Sequence, residues 1–572
     1  MDNKLGEMIQ SGLRKNPENI AIQSEFLKLT YKELADKVEG VSNLLINKRI
    51  TKHSCVIVEL KRNIDCICYI LALVNIGSAY VPVDPAHSKE RKEFIKQDVG
   101  ADFIISTNSI SNNIEVMPLI AKNNMAIDNS QLPHIAYILY TSGTTGNPKG
   151  VKIKSSAVAN LLSWMTETYG FNNETRIINK TALTFDASVW EIFISFFCGG
   201  TLFLADPDKD KIPRYLAETI NKFNINTVQF VPAMLKKVLK EPAFKECRSL
   251  KNVFTGGETL ASELAKSFFN LSDAALHNLY GPTETTIQVL THTVTKTDLL
   301  GEIPIGKPVA NVLVYIVTQD GKEAAVDEIG ELCISGIALA EGYVHRETEE
   351  SQKFVSMYSL PGAPFVYKTG DFAYRNAFGD IFFCGRIDEQ IKVNGYRVDL
   401  NEIETVLNNH TSIDTAIVTK ESRGEFTFLI AYLKCHQENG ILFEQVNERI
   451  QNTLPHYMWP SDYYLINDVP LTAHGKIDRK ALSVKLNKIK LTPTKHKVTD
   501  LNNELKISVL KIWRDVLNND EIELDSDFYS CGGNSIEAMI ISMKLNEQLG
   551  INLTFEDVLK LRNVINIVDS VS

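Results

Sequence analysis

The first third of the chain alternates short apolar runs with amphipathic stretches. SCVIVEL (54–60) predicts a buried strand, IDCICYILALVNIG (64–77) a helix stopped at Gly77, and AYVPVDP (79–85) a short strand ended by proline. SKERKEFIKQDVG and then ADFIIST repeat the order of helix and strand, and IAYILY (135–140) is a further apolar strand running straight into TSGTTGNPKG. Such alternation predicts an α/β fold, with sheets of parallel strands covered by helices. The pattern changes near the C-terminus. Residues 485–499, KLNKIKLTPTKHKVT, hold five lysines and one proline with few large apolar groups, and read as a linker. Beyond it, ELKISVLKIWRDVL predicts one amphipathic helix. SIEAMIISMKLNEQLG predicts a second, with Ile536, Met539, Ile540 and Met543 on one face and Gly550 as its stop. Thr554 with Asp557 forms a capping-box-like start for a third. Residues 501–572 carry twelve acids and six bases, which makes this tail a small acidic helical bundle.

Composition narrows the function classes. The 572 residues allow three or four domains, and 44% apolar with 23% charged residues is the balance of a globular protein with a substantial core. The net charge of -10, from 70 acids against 60 bases, disfavours a nucleic-acid binder. No apolar run approaches the roughly 20 residues that span a bilayer. The start, MDNKLGEMIQSGLRKNPENIAI, has no signal-peptide segment, so no membrane association and a cytoplasmic location are the default expectations. The nine cysteines include one close pair, Cys66 and Cys68, and no CxxC; buried thiols are expected rather than zinc ligands or a disulfide framework.

The chemistry-bearing segment is Tyr140-Thr141-Ser142-Gly143-Thr144-Thr145-Gly146-Asn147-Pro148-Lys149-Gly150. Glycines let backbone N–H groups approach an anion, hydroxyls add donors, and Lys149 adds charge. The order is not the Walker pattern, which ends in Gly-Lys-Ser/Thr. A plain surface turn is the alternative, but this many ordered positions after an apolar strand argue against it.

This segment resembles the phosphate loop of the acyl-adenylate-forming enzymes, above all the adenylation domains of nonribosomal peptide synthetases. The resemblance continues in the family's order along nearly the whole chain. Leu29-Thr30-Tyr31-Lys32-Glu33-Leu34, Gly77-Ser78-Ala79-Tyr80-Val81-Pro82-Val83-Asp84, Phe185-Asp186-Ala187-Ser188, Asn278-Leu279-Tyr280-Gly281-Pro282-Thr283-Glu284 and Gly330-Glu331-Leu332 match in turn. Tyr367-Lys368-Thr369-Gly370-Asp371, Gly385-Arg386-Ile387-Asp388, Leu454-Pro455-His456-Tyr457-Met458 and Gly475-Lys476-Ile477-Asp478-Arg479 follow. Asp525 to Ile536, with Gly532-Gly533-Asn534-Ser535, resembles the modification site of a peptidyl carrier protein; Cys531 and Asn534 depart from the usual leucine and histidine or aspartate. The resemblance implies an adenylation core of stacked mixed sheets with helices over 1–387 and a small, mobile α+β subdomain over 388–484. A linker over 485–500 and an all-α four-helix carrier (thiolation) domain over 501–572 complete it.

It also implies roles. ATP would be held by Thr141, Ser142, Gly143, Thr144, Thr145, Gly146, Lys149 and Thr283, with Tyr280 stacked on adenine and Phe383 as a second adenine-facing aromatic. Asp371 would take the ribose hydroxyls and Arg386 would contact the nucleotide. Glu284 would hold Mg2+, Lys476 would bridge carboxylate and phosphate, and Asp388 would be the hinge of a rotation between half-reactions; Asn394 stands where arginine is frequent. Ser535 would carry 4′-phosphopantetheine, attached by a phosphopantetheinyl transferase. Asp186 would pair with the substrate's ammonium group. The side-chain pocket would be lined by Ala187, Trp190, Gln229, Phe254, Gly256, Leu279, Ile287 and Gln288. None is charged, which disfavours a charged substrate side chain. The two glutamines suit a primary amide, and the set resembles glutamine-activating pockets apart from Gln288, so L-glutamine is expected. No condensation or thioesterase region is expected within this length. The expectation is a stand-alone loading didomain for nonribosomal peptide or antibiotic biosynthesis, serving a downstream condensation, tailoring or other carrier-recognising enzyme in trans. An acyl-CoA ligase and a catalytically silent carrier-docking scaffold are the alternatives.

Overall fold

The computed structural model describes residues 3–571 apart from 109–110, 112, 120–131, 143–147, 362–364, 388–389, 394–395, 424–425, 436–442, 471–476, 485–487 and 492–502. The chain folds as two compact units, the first mainly of residues up to Glu389 and the second mainly of residues from Gln390 onward.

Three sheets build the first unit. In a seven-stranded sheet, Cys55–Glu59 lies between Ala79–Pro82 and Phe103–Thr107, parallel to both. Ile64–Ile76 is the helix between the first two, buried along nearly its whole length. Asn63 caps its start, with Oδ1 accepting from the Cys66 amide at 2.8 Å. Gly77 ends it at φ 84°, a left-handed position that glycine takes without a Cβ clash. Ile135–Thr141 pairs parallel with Ala79–Pro82 and antiparallel with Lys149–Lys154, so Thr141 faces Lys149 across the ladder. The glycine-rich segment therefore joins two antiparallel strands of one sheet.

A nine-stranded sheet carries Arg176–Asn179, Thr227–Phe230, Asn252–Gly256 and Ala275–Tyr280 as neighbouring parallel strands. Their register sets Gln229 beside Phe254, Phe254 beside His277 and Gly256 beside Leu279. The third sheet is antiparallel, and its pairing of Val366–Arg375 with Ile381–Arg386 puts Asp371 opposite Arg386. A helix, Lys4–Leu13, packs on Ala187–Cys198 so closely that a Cβ on Gly12 would fall 1.8 Å from the Phe196 carbonyl oxygen. Tyr31, fully buried, reaches the same helix end with its hydroxyl 3.0 Å from Ser195 O and 2.8 Å from Gly200 O.

The second unit holds a two-stranded ribbon, a four-stranded sheet and four terminal helices. Part of the stretch expected to be a linker is structured: Lys488–Leu491 adds antiparallel to Asp462–Ile466 as the sheet's fourth strand. The terminal helices are Asn503–Leu517, Ser535–Leu549, Phe555–Leu561 and Val564–Val571. Thr554 and Asp557 form the reciprocal capping box, and Gly550 stops its helix at φ 67°. The face of Ser535–Leu549 differs from expectation. Ala538, Met539, Ile541 and Leu545 are buried, whereas Ile536, Ile540 and Met543 are half-exposed. That helix is apolar on more than one side, so its periodicity does not select a face. The stripe at 538, 541 and 545 is the one that joins the cluster around Trp513 and Phe528. Among the described residues no helix is long and apolar enough to cross a membrane.

Replacing Gly12 with Ala should destabilise the first unit by about 1–3 kcal/mol, because backbone rather than a side-chain tip must move. Thermal or urea melting of the full chain checks this; wild-type stability would mean that the two helices separate freely.

Candidate active site

The segment Tyr280–Gln288 ties three groups of side chains together. It leaves the end of Ala275–Tyr280 and passes through a single 3₁₀ turn, Thr283–Thr285. It then takes left-handed backbone at two β-branched residues, Thr286 (φ 60°) and Ile287 (φ 70°). Each costs of order 1–3 kcal/mol and persists only where surroundings force it. Here Val289 N donates to Tyr280 O at 2.8 Å, Thr286 Oγ1 to Ala338 O at 2.7 Å, and Gly281 lies where a Cβ would be 2.5 Å from Ile287 O. The turn is thus closed on itself and fixes where Tyr280, Thr283 and Glu284 point.

The first group is Tyr280, Asp371 and Arg386. The Tyr280 hydroxyl donates to Asp371 Oδ2, and Arg386 Nη1 donates to Oδ1 at 2.5 Å. Arg386 Nη2 also donates to Thr369 O at 3.3 Å, and Asp371 N donates to Thr369 Oγ1 at 3.0 Å. Burial, and then the adjacent carboxylate, push the Tyr280 phenol well above its ordinary range. Phe383 lies on the strand of Arg386 and is partly buried against the main core.

The second group is a buried ion pair. Lys149 Nζ is 3.1 Å from Glu284 Oε1, and both side chains are almost wholly buried. Tyr343, which the sequence reading passed over, completes it: Lys149 donates to its hydroxyl at 3.0 Å, and that hydroxyl donates to Glu284 Oε1 at 2.9 Å. Thr141, paired with Lys149 in the ladder, has a buried Oγ1 with no hydrogen-bond partner among the described residues, an orphaned donor beside the glycine-rich segment.

The third group surrounds Asp186. Thr283 Oγ1 donates to Asp186 Oδ2 at 2.7 Å. Asp186 opens the helix Ala187–Cys198, and the loop before it is held by Glu191, which accepts from Asn179 Nδ2 at 2.7 Å and Thr181 Oγ1 at 2.6 Å. Tyr137, also unforeseen, has a buried hydroxyl without a described partner, and burial together with the Asp186 charge raises its pKa well above the ordinary value. Trp190 is fully buried; its indole N–H donates to Gln229 Oε1, and its ring meets Phe254 edge-on at 5.2 Å. Gln288, also buried, donates through Nε2 to Met165 Sδ at 3.2 Å. Behind Phe254 lies His277, stacked at 4.7 Å, with ring nitrogens 2.9 Å from Thr293 Oγ1 and 3.1 Å from Asn252 Oδ1.

In the second unit, Ser535 is the first residue of its helix and only half-buried. The cap is Asn534, whose Oδ1 accepts from Ile536 N at 2.9 Å; Ser535 is not itself the cap, and that backbone amide does not engage its hydroxyl. Gly532 is left-handed at φ 91°, and a Cβ on Gly533 would sit 2.4 Å from the Phe528 ring, so the approach to the serine depends on both glycines. Gly143, Thr144, Thr145, Gly146, Asp388, Asn394 and Lys476 lie outside the described residues.

Comparison with known families matches residues 9–344 to the AMP-binding enzymes, 402–476 to the AMP-binding enzyme C-terminal domain and 508–571 to the phosphopantetheine attachment site. The chain belongs to the AMP-binding enzyme family, as an adenylation domain of the nonribosomal peptide synthetase kind fused to a carrier domain. It is 35% identical over 509 residues to zwittermicin A synthase ZmaJ of Bacillus cereus, covering 85% of this chain and 95% of that protein. It is 33% identical over 556 residues to tyrocidine synthase 3 of Brevibacillus parabrevis, where it spans only 8% of the relative's length. Among solved structures, holo-PA1221, a protein containing adenylation and PCP domains, shares the fold at TM-score 0.78 and 24% identity, over 98% of this chain and 95% of that one. The four-domain synthetase AB3403, bound to AMP and glycine, aligns at TM-score 0.61 and 26% identity, over 100% of this chain and 43% of that one.

Burial lowers the His277 pKa from 6.5 to about 4. The unfolded chain therefore binds the extra proton first. The stability tied to a neutral His277 is complete above pH 6.5 and is lost as pH falls towards 4, by up to about 3 kcal/mol. Urea unfolding at stepped pH should show this slope, and His277→Gln should flatten it; an unchanged slope in the variant would remove His277 as its source.

Proposed function

We propose that the chain adenylates L-glutamine with ATP and passes the aminoacyl group to a thiol carried on Ser535. The observation that carries the reading is the convergence, through one strained turn, of an ammonium-accepting carboxylate, a buried Lys–Glu pair and a Tyr–Asp–Arg group. In the first half-reaction an amino-acid carboxylate oxygen attacks the α-phosphorus of ATP, the bond to the leaving pyrophosphate breaks, and an aminoacyl-adenylate remains. Both reactants are anionic, so positive charge must meet the charge developing in the transition state. Lys149 supplies part of it, and Lys476 is assigned to bridge carboxylate and phosphate oxygens. Glu284 fits magnesium, a hard cation that takes carboxylate oxygen and would neutralise phosphate charge. Asp371 would accept from the ribose hydroxyls, with Arg386 beside it; Tyr280 and Phe383 would serve adenine; Thr141, Ser142 and Thr283, with the glycine-rich residues 143–146, are assigned to the phosphates. Ser535 suits 4′-phosphopantetheine, since its side chain is partly open at a helix start; that arm would supply the accepting thiol. Asp388 is assigned as the hinge between the two half-reactions. A phosphopantetheinyl transferase and an enzyme that recognises the loaded carrier are the partners this chemistry requires.

Hydrogen-bond polarity supports glutamine. An indole N–H can only donate, so Trp190 commits the carbonyl of Gln229 and leaves that amide's N–H₂ as a donor for substrate. Gln288 gives one of its two N–H donors to Met165, and its carbonyl stays an acceptor. One donor and one acceptor, on a wall otherwise of Ala187, Phe254, Gly256, Leu279 and Ile287, complement a primary amide. A carboxylate, which has no donor, would leave the Gln288 carbonyl unmatched. Asp186 favours an α-amino acid over a fatty or aryl acid.

A pyrophosphate-exchange panel over the amino acids should show glutamine leading glutamate by about tenfold or more, the scale of one unmatched hydrogen bond. Strong exchange with another amino acid and none with glutamine would remove the assignment. Lys476→Ala should sharply lower exchange without changing the melting curve. Intact mass after treatment with a phosphopantetheinyl transferase, ATP and glutamine should show a loaded adduct on the wild type and none on Ser535→Ala.

A further inference from the structure

We propose that Tyr343 is a positioning residue of the nucleotide site, holding Lys149 and Glu284 at a fixed separation before nucleotide and metal arrive. This rests on the adenylation reading. The three polar atoms form a closed triangle with sides of 3.1, 3.0 and 2.9 Å. Its polarity admits one arrangement: the ammonium donates to the phenol oxygen, and the phenol donates to the carboxylate. Lys149 Nζ also lies 4.2 Å from the centre of the Tyr343 ring, a cation–π contact strengthened by exclusion of water.

Tyr343 can set a distance because its own backbone and ring are held. It sits in the short strand Gly342–Tyr343, paired with Val151 in the strand that begins at Lys149. Its backbone N–H donates to Glu350 Oε2 at 2.8 Å, and the Phe354 ring meets its own edge-on at 5.7 Å. Gly342 is left-handed at φ 122°, and a Cβ there would fall 2.2 Å from the same Glu350 oxygen, so the Glu350 anchor requires glycine. The ring is buried to 2% exposure.

Lys149, by contrast, begins a strand of the seven-stranded sheet while Glu284 sits in the 3₁₀ turn that follows a strand of the nine-stranded sheet, and a lysine has a flexible four-carbon stem. A pair alone could collapse onto many geometries. With nucleotide and metal bound, Glu284 would serve the metal ion and Lys149 a phosphate oxygen in place of each other. The Tyr343 ring and hydroxyl hold Lys149 at the same place through that exchange. The sequence signal is only Gly342-Tyr343 two residues past Ala340, which carries no chemistry until the fold lays it against Lys149.

The test is Tyr343→Phe in the full chain, which keeps the ring and removes the hydroxyl. Calorimetric titration with ATP at stepped magnesium concentrations should give about tenfold weaker MgATP binding, the scale of a lost hydrogen bond to a charged group, with a higher magnesium midpoint, in a variant whose circular dichroism shows it still folded. Tyr343→Leu, lacking the ring as well, should bind more weakly still. Wild-type MgATP affinity and magnesium midpoint in Tyr343→Phe would overturn the proposal, as would an equal loss with no change in magnesium dependence. Should that variant fail to fold, Glu350→Ala removes the acceptor of the same anchor and should give a smaller, magnesium-dependent loss; none would overturn the proposal. If the wild type binds MgATP yet exchanges pyrophosphate with no amino acid, the adenylation reading fails while the positioning result still stands or falls on binding.

Discussion

A lysine shut away from water needs a carboxylate beside it, and the first unit is organised around that requirement at Lys149 and Glu284. Each charge loses several kcal/mol of hydration on burial, so removal of either partner strands the other. The pair joins the start of a strand in the seven-stranded sheet to the turn at the end of a strand in the nine-stranded sheet. The two sheets therefore meet at a point of fixed charge, and the glycine-rich segment leaves the ladder directly opposite Lys149. The same residues that hold the sheets in place are those a triphosphate and its metal would address.

Strain at Thr286 and Ile287 follows from the same economy of space. The chain must leave Tyr280 facing Asp371, aim Thr283 at Asp186 and aim Glu284 at Lys149 within a few residues. Regular backbone cannot point three consecutive functional groups in three directions. The surrounding hydrogen bonds, to Ala338 and between Val289 and Tyr280, make the left-handed residues tolerable. Stiffness is the gain: the carboxylate, hydroxyl and phenol are oriented before any ligand binds.

The carrier end works by a lighter device. Asn534 takes over the capping of the helix, Gly532 and Gly533 thread the chain past Phe528, and Ser535 is left half-open at the first turn. A serine that capped its own helix would have its oxygen occupied by a backbone amide. Moving the cap back by one residue keeps the helix start satisfied and the hydroxyl available.

Strand and helix order in the first third, the stop at Gly77, the capping box at Thr554 and the tail's helices were legible in the sequence, because each rests on local rules of period, cap and turn. The ordered motifs also marked Tyr280, Glu284, Asp371, Arg386 and Asp186. Other features were decided only by tertiary structure. Tyr343 and Tyr137 lie far along the chain from the groups they serve, and nothing local distinguishes them from core tyrosines. The buried face of Ser535–Leu549 was open, because a helix apolar on several sides takes whichever stripe its neighbours close upon. Lys488–Leu491 became a strand because a sheet edge was there to receive it, although its lysines read as linker. Sequence by itself settled what each segment could be; long-range packing settled which polar atoms meet, since hydrogen-bond polarity and burial exist only between residues the fold has brought together.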